Sequence, residues 1–96
     1  MSKVSLVTII EAKLEEKDFI RNELEKLIPI TRKEDGCINY NLFLDSKNPA
    51  RFIFEESWED KAKLQGHMES EHLKKYLEAS KGKLKTSEII ELIQLD

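Results

Sequence analysis

The hydrophobic pattern of the chain switches between two periods, and the order of these periods limits the fold more than any other feature. Val4 to Ala12 is dominated by Val, Leu, Ile and Thr, which is typical of a strand. From about Glu15 the apolar residues follow the i, i+4, i+7, i+8 spacing of a helix. Two further strands are predicted, Cys37 to Leu44 and Arg51 to Trp58, before the helical spacing returns and a last strand follows over Thr86 to Leu95.

This order, β-α-β-β-α-β, predicts a ferredoxin-like α+β fold, in which a four-stranded antiparallel sheet carries two helices on one face. Ninety-six residues supply apolar positions for one core, so a single domain over residues 1–96 is expected. Asp60 and Ser70 are expected helix N-caps, and Gly36 is expected to take a positive φ before the second strand. Pro29 is expected to kink or end the first helix.

Apolar residues fall on both parities of the first and last strands, as Leu6 and Val7 do, although the helices can cover only one face of the sheet. An exposed apolar sheet face is either an interaction site or a liability in water. The pattern therefore predicts a homodimer in which two open sheet faces pack together. The alternative is a monomer whose outer face is only mildly apolar.

Composition argues against two classes of partner. Sixteen basic and 19 acidic residues give a net charge of −3, with both signs spread along the chain, so neither nucleic acid nor an anionic membrane surface is expected to bind. No apolar run approaches the roughly 18 residues of a membrane span. The single cysteine, Cys37, cannot form an internal disulfide, and a reducing, cytoplasmic location is expected.

Two histidines are candidates for proton transfer. Leu64 and Met68 bracket His67 at helical spacing, so its imidazole is expected to face the core, where it could exchange a proton near neutral pH. A core histidine bonded to a backbone carbonyl is the alternative. His72 lies about 140° further around a regular helix at ~100° per residue. The two histidines are therefore not expected to share a face, and no metal site is expected unless the helix breaks at Ser70.

The middle strands carry polar and aromatic candidates. Glu56 and Trp58 share a parity with two phenylalanines of the third strand. If that face is buried, desolvation raises the pKa of the Glu56 carboxyl, which could then act as a base; a structural acid paired with amides or an arginine is the alternative. Tyr40 is expected to face the interior together with Ile38, and Asn39 is expected to face solvent or a subunit boundary.

In combination these residues resemble the signature of the antibiotic biosynthesis monooxygenase family, and in particular its quinol-oxygenase and autoinducer-degrading branch. The resemblance is strongest from Lys33 to Lys81. It rests on Gly36-Cys37 with Tyr40, then Glu56-x-Trp58, then His67 and His72 on either side of Ser70, with Tyr76 downstream.

The resemblance implies a dimeric α/β barrel with a pocket between helices and sheet. It also implies an enzyme that oxidises a small quinol or polyphenol-type aromatic with O2 and uses no metal, flavin or other cofactor. His67 would be the catalytic base or the partner of the substrate anion, and Glu56 would orient a proton donor. The implied substrate contacts are Trp58, Tyr40, His72 and Tyr76.

Two other functions stay open at this point. One is a dimeric protein that binds a small aromatic or signalling molecule without transforming it. The other is an isomerase-like enzyme that degrades a phosphorylated signal molecule, which would need cationic groups in its pocket. Arg51, Lys33 and Lys85 are the candidates for such groups.

Overall fold

The protein is described by a computed structural model that covers residues 2–96. The predicted α+β class and ferredoxin-like order of elements are confirmed, except that the second predicted helix is two helices. In chain order the elements are β1 (Val4–Ala12), a 3-10 turn (Leu14–Glu16), α1 (Lys17–Arg32), β2 (Cys37–Leu44), β3 (Arg51–Trp58), α2 (Lys61–Met68), α3 (Glu71–Ala79) and β4 (Leu84–Leu92).

The four strands form one sheet in the order β2-β3-β1-β4, and each neighbouring pair is antiparallel. The inner face of β1 and β3 packs with α1 in a hydrophobic cluster that includes Ile10, Phe52, Ile20 and Leu24. β4 ends at Leu92 rather than at Leu95 as predicted, and Leu92 pairs with Ser5 near the start of β1.

Three local signals behave as the sequence predicts. The side chain of Asp60 accepts a hydrogen bond from the Lys63 amide at 2.9 Å and caps α2, and Ser70 caps α3. Gly36 has φ +87° where the chain turns into β2. Of the two effects expected at Pro29, an early end of α1 is wrong, since the helix continues through Pro29 to Arg32 and buries Thr31 completely in its last turn.

The parity predicted for β2 is wrong at its first residues. Cys37 pairs with Trp58 and Asn39 pairs with Ser57, so Ile38 is an extra residue in the strand, a β-bulge. The bulge leaves Ile38 51% exposed while Tyr40 is buried on the inner face. An insertion of this kind changes the face of all later residues, which a strict period of two cannot anticipate.

The outer face of the sheet carries apolar side chains that no helix covers. Val7 pairs with Ile90 and Ile53 pairs with Phe43 on this face, and Phe43 is 51% exposed. Over residues 2–96, none of the helices is long and apolar enough to cross a membrane.

Candidate active site

The break between α2 and α3 brings both histidines of the chain to one carboxylate. Nδ1 of His67 and Nε2 of His72 each lie 2.7 Å from the same oxygen, Oε2 of Glu34. Ser70 creates the break, because its hydroxyl donates to the carbonyl oxygen of His67 at 2.7 Å and accepts from the Leu73 amide at 3.4 Å. The expectation that the two histidines do not share a face applied to one regular helix, and the break at Ser70, which was its stated exception, brings them together.

Sequence reasoning assigned no role to Glu34, although this residue joins the two histidines. It follows the end of α1 at Arg32 and precedes the positive φ of Gly36, which turns the chain into β2. An acid two residues before such a turn is the signal that could have drawn attention to it. Periodicity gives no information on the direction of a side chain in a connection of this kind.

Glu34, His67 and His72 also form a group of possible metal ligands, whose donor atoms lie within 4.8 Å of one another. Two ligands of one tetrahedral zinc ion, with bonds near 2.0–2.1 Å, lie about 3.3 Å apart. The two 2.7 Å separations are shorter and match charge-assisted hydrogen bonds. The cluster thus has the geometry of a hydrogen-bonded network, and a metal ion would have to separate both pairs.

The imidazole of His67 is buried between aromatic rings. It is 3% exposed, and it stacks on Trp58 with 4.8 Å between ring centroids and 28° between planes. Tyr40 meets it edge-on at 5.6 Å. Nε2 of His67 lies 4.0 Å from Oε1 of Glu56, which is too long for a hydrogen bond. His67 therefore has a carboxylate partner at Nδ1 and lies beside a second carboxyl group at Nε2.

Glu56 and Tyr40 are both buried and both have shifted acidities. Oε1 of Glu56 accepts a hydrogen bond from the indole nitrogen of Trp58 at 2.8 Å. Burial raises the pKa of the Glu56 carboxyl, and the bond from Trp58 and the nearby His67 oppose this change. Burial, reinforced by the charge of Glu56, raises the pKa of Tyr40 far above its usual range. Tyr40 is therefore a protonated hydroxyl at any physiological pH.

A small cavity of about 100 Å³ lies between the sheet and the helices. Its lining includes Tyr40, Glu56, His67 and Tyr76, together with mainly apolar side chains such as Leu24. Trp58 and His72 are not among its described lining residues. Trp58 stacks on His67 and His72 contacts Glu34, so their influence on a molecule in this cavity passes through His67.

The cavity has an apolar mouth at Met68, Leu77 and Ile89, which are 38%, 53% and 54% exposed. Tyr76 also lines the cavity, and its hydroxyl is buried and has no hydrogen-bond partner among residues 2–96. The described lining contains no Lys or Arg. Arg51 and Lys85 instead lie near acids, 4.0 Å from Asp45 and 3.6 Å from Glu11. This arrangement gives no support to a pocket for a phosphorylated molecule.

Comparison with known proteins gives a consistent result. The model of a family described as antibiotic biosynthesis monooxygenase matches residues 4–79. Over 74 residues the chain is 32% identical to YgiN of Escherichia coli K12, which is named as a probable quinol monooxygenase; the match covers 69% of this chain and 71% of YgiN. It is 26% identical over 93 residues to YcnE of Bacillus subtilis, named as a candidate monooxygenase, with 97% and 96% of the two chains covered. The crystal structure of PA3566 from Pseudomonas aeruginosa superposes with a TM-score of 0.94 at 27% identity, over 100% of this chain and 97% of that one.

Proposed function

Because the chain belongs to the antibiotic biosynthesis monooxygenase family, we propose that it oxidises a small hydroquinone or polyphenol with O2, without a metal or an organic cofactor. One observation carries the proposal: the buried imidazole of His67 lines a mainly apolar cavity, while Glu34 already occupies its Nδ1. Nε2 is then the nitrogen left for a substrate. The name of the Escherichia coli relative supports the substrate class.

The first step of the proposed reaction is proton transfer from a phenolic hydroxyl to Nε2 of His67. Imidazole is the side chain that acts most often as a general base in enzymes. The resulting phenolate is rich in electrons and can reduce O2 directly, so the protein has to supply a base, a dry site and donors for the anion. The buried hydroxyls of Tyr40 and Tyr76 are suitable donors.

Atoms and electrons balance without an external reductant. The substrate anion transfers an electron to O2, and the radical pair combines to form a carbon–oxygen bond and a peroxide anion. The ring proton at that carbon passes to the terminal peroxide oxygen, the O–O bond cleaves to leave a carbonyl and hydroxide, and His67 returns its proton to the hydroxide to give water. A hydroquinone thereby becomes a hydroxyquinone, supplies all four electrons and takes up one oxygen atom.

The size of the cavity limits the substrate. A dry protein cavity of about 150 Å³ holds one benzene ring, and the cavity beside His67 is about 100 Å³. The cavity is smaller than the one that holds benzene, so a single ring is the upper limit of the rigid group that we expect to enter. Larger substituents would project through the mouth at Met68, Leu77 and Ile89.

The test is O2 consumption by EDTA-treated protein with one-ring and three-ring hydroquinones, corrected for oxidation without protein. We expect turnover of one-ring substrates, and one labelled oxygen atom in the product when ¹⁸O₂ is supplied. His67→Gln should lower the rate by about 10²- to 10⁴-fold, the usual contribution of a general base. Glu69→Gln, which changes an exposed acid two residues away, should leave the rate unchanged.

Two results would contradict the proposal. Turnover by His67→Gln at the normal rate, in protein with an intact circular dichroism spectrum, would remove His67 from the reaction. Saturable binding of hydroquinones without product would favour the alternative of a small-molecule binding protein.

We also propose that the protein is a homodimer whose open sheet faces pack together. The outer faces of β1 and β4 carry Val7 and Ile90, and Ile93 and Leu95 after β4 are 83% and 95% exposed. The hydrophobic effect contributes roughly 25 cal/mol for each Å² of apolar surface removed from water, so burial of this face favours association of two chains. Light scattering after gel filtration should give twice the mass of one chain. Ile90→Lys should shift the protein to a monomer, whereas Ile30→Lys, on α1, should not.

A further inference from the structure

A carboxylate that touches two imidazoles determines which nitrogen of each ring carries hydrogen. A carboxylate has no hydrogen to donate, so each nitrogen bonded to it must be an N–H group. Nδ1 of His67 and Nε2 of His72 both lie 2.7 Å from Oε2 of Glu34. The neutral ring of His67 is then protonated at Nδ1 and bare at Nε2, and the ring of His72 has the opposite tautomer.

We propose that Glu34 is a positioning residue that holds His67 in the tautomer required of a base, and that His72 holds Glu34 in place. The role in catalysis rests on the function proposed above. The stacking on Trp58 fixes the plane of the His67 ring, but it does not determine which nitrogen is protonated. The hydrogen bond to Glu34 determines that Nδ1 is the protonated nitrogen.

The same contact acts during the reaction. When Nε2 of His67 accepts the substrate proton, the ring becomes a cation in a site where it is only 3% exposed. A buried cation is costly unless it is paired. The carboxylate of Glu34, already bonded to Nδ1–H, is the nearest counter-charge, and Oε1 of Glu56 lies further away, 4.0 Å from Nε2. The proton stays on Nε2 until the departing hydroxide takes it.

His72 holds the Glu34 carboxylate in place on the side of the cluster that faces solvent. Its side chain and that of Glu34 are 16% and 17% exposed, so without a second bond the carboxylate could rotate toward water. The bond from Nε2–H of His72 to Oε2 opposes this rotation. Ser70, whose hydroxyl lies 3.3 Å from the same Nε2, holds the His72 ring near the start of α3.

The first experiment needs no substrate. The chain contains only two histidines, so long-range ¹H–¹⁵N correlation spectra of labelled, EDTA-treated protein report both tautomers separately. We expect Nδ1–H for His67 and Nε2–H for His72. Glu34→Leu removes the acceptor and should give His67 a mixture of tautomers, whereas Glu34→Gln keeps an acceptor oxygen and should largely preserve the tautomer.

The second experiment separates positioning from binding. Glu34 does not line the described cavity, so both variants should lower kcat with little change in KM. We expect a loss of about 10²-fold or more for Glu34→Leu, by comparison with the carboxylate of a catalytic triad. Glu34→Gln removes the counter-charge and adds an NH2 donor; with its amide oxygen at the position of Oε2, as the acceptor for both imidazole N–H groups, a smaller loss is expected. His72→Leu should have an intermediate effect, and Glu69→Gln should have none.

The outcomes separate this inference from the proposed function. If His67 of the unmodified protein carries its proton on Nε2, or if Glu34→Leu leaves the tautomer of His67 unchanged, the positioning role is wrong whatever the activity. If the tautomers respond as expected but no hydroquinone is oxidised, the positioning role stands and the proposed reaction is wrong. Should Glu34→Leu fail to fold, the tautomers of the unmodified protein and the kcat of Glu34→Gln still decide the question.

Discussion

The two ends of the interior are built in different ways. We call one end the α1 core and the other the Trp58 end. The α1 core buries apolar side chains against one another, whereas the Trp58 end buries an imidazole and a carboxyl group beside an indole. The α1 core consists of Ile10, Ile20, Leu24 and Phe52, and the Trp58 end consists of Leu6, Glu56, Trp58 and His67.

The difference separates what folds the chain from what acts in it. Apolar burial stabilises the fold at roughly 25 cal/mol per Å², while a buried polar group must recover its lost hydration through hydrogen bonds. The Trp58 end meets this need with bonds from Trp58 to Glu56 and between His67 and Glu34. An apolar side chain in place of Glu56 or His67 would also support folding. The polar groups are thus better explained by chemistry than by stability.

The largest expected effect tests the α1 core. Ile20→Ala should lower the free energy of unfolding by about 2–5 kcal/mol, because Ile20 is fully buried and its truncation leaves a cavity. Ile30→Ala is the matched control in the same helix. Ile30 is 49% exposed, so its truncation should cost well under half as much. Urea denaturation followed by Trp58 fluorescence measures both values at one fixed protein concentration.

Equal losses in the two isoleucine variants would contradict the division between core and surface along α1. A loss of turnover in Ile20→Ala under conditions where the protein stays folded would contradict the division between the two ends. We expect the folded variant to keep its activity, since Ile20 belongs to the α1 core and does not line the described cavity.

The sequence predicts the α1 core better than the Trp58 end. Regular periods place Ile20 and Leu24 on the buried side of α1, and short-range signals locate the caps at Asp60 and Ser70. These predictions depend only on neighbours within one or two turns. The class and order of elements follow from the same local information.

The Trp58 end depends on interruptions of the regular periods. The bulge at Ile38 and the break at Ser70 decide which side chains meet His67, and Glu34 lies in a connection to which neither period applies. Its partners stand 33 and 38 residues away in sequence. Pairings at that separation become visible only when the sheet and helices are assembled.

A second prediction concerns the close packing at the entrance to β2. Gly36 has φ +87°, and a Cβ atom there would overlap the side chain of Lys63 in α2. Gly36→Ala should therefore cost more than the roughly 1–2 kcal/mol of a left-handed alanine alone. Gly82→Ala is the matched control, since Gly82 has φ +76° and no described atom within 4 Å of the added Cβ.

The difference between the two glycine variants isolates the contact with Lys63 from backbone strain. Because Gly36 follows Glu34 by two residues, Gly36→Ala should also disturb the tautomer of His67 in ¹H–¹⁵N spectra, and Gly82→Ala should not. Equal losses of stability in the two variants would mean that the Lys63 side chain moves aside without cost. The contact between Gly36 and Lys63 would then contribute nothing to the stability of the Trp58 end.

The smallest effect is a pH dependence of stability at Glu56. Burial raises the pKa of this carboxyl above its ordinary value of 4.5, so between the two values the folded chain binds more protons than the unfolded chain. The free energy of unfolding then falls as pH rises through this interval. The penalty is absent below pH 4.5 and complete above the raised pKa. Glu56→Gln cannot titrate, so its stability relative to the unmodified protein should increase from acidic to neutral pH.

Glu55→Gln provides the control, because Glu55 is the neighbouring residue on β3 and is exposed. Denaturation curves at several pH values should show a widening difference for Glu56→Gln and a flat one for Glu55→Gln. The opposite slope for Glu56→Gln would mean that the bond from Trp58 and the proximity of His67 outweigh desolvation. In that case Glu56 would contribute to stability as an anion, and the Trp58 end would resemble the α1 core in supporting the fold rather than opposing it.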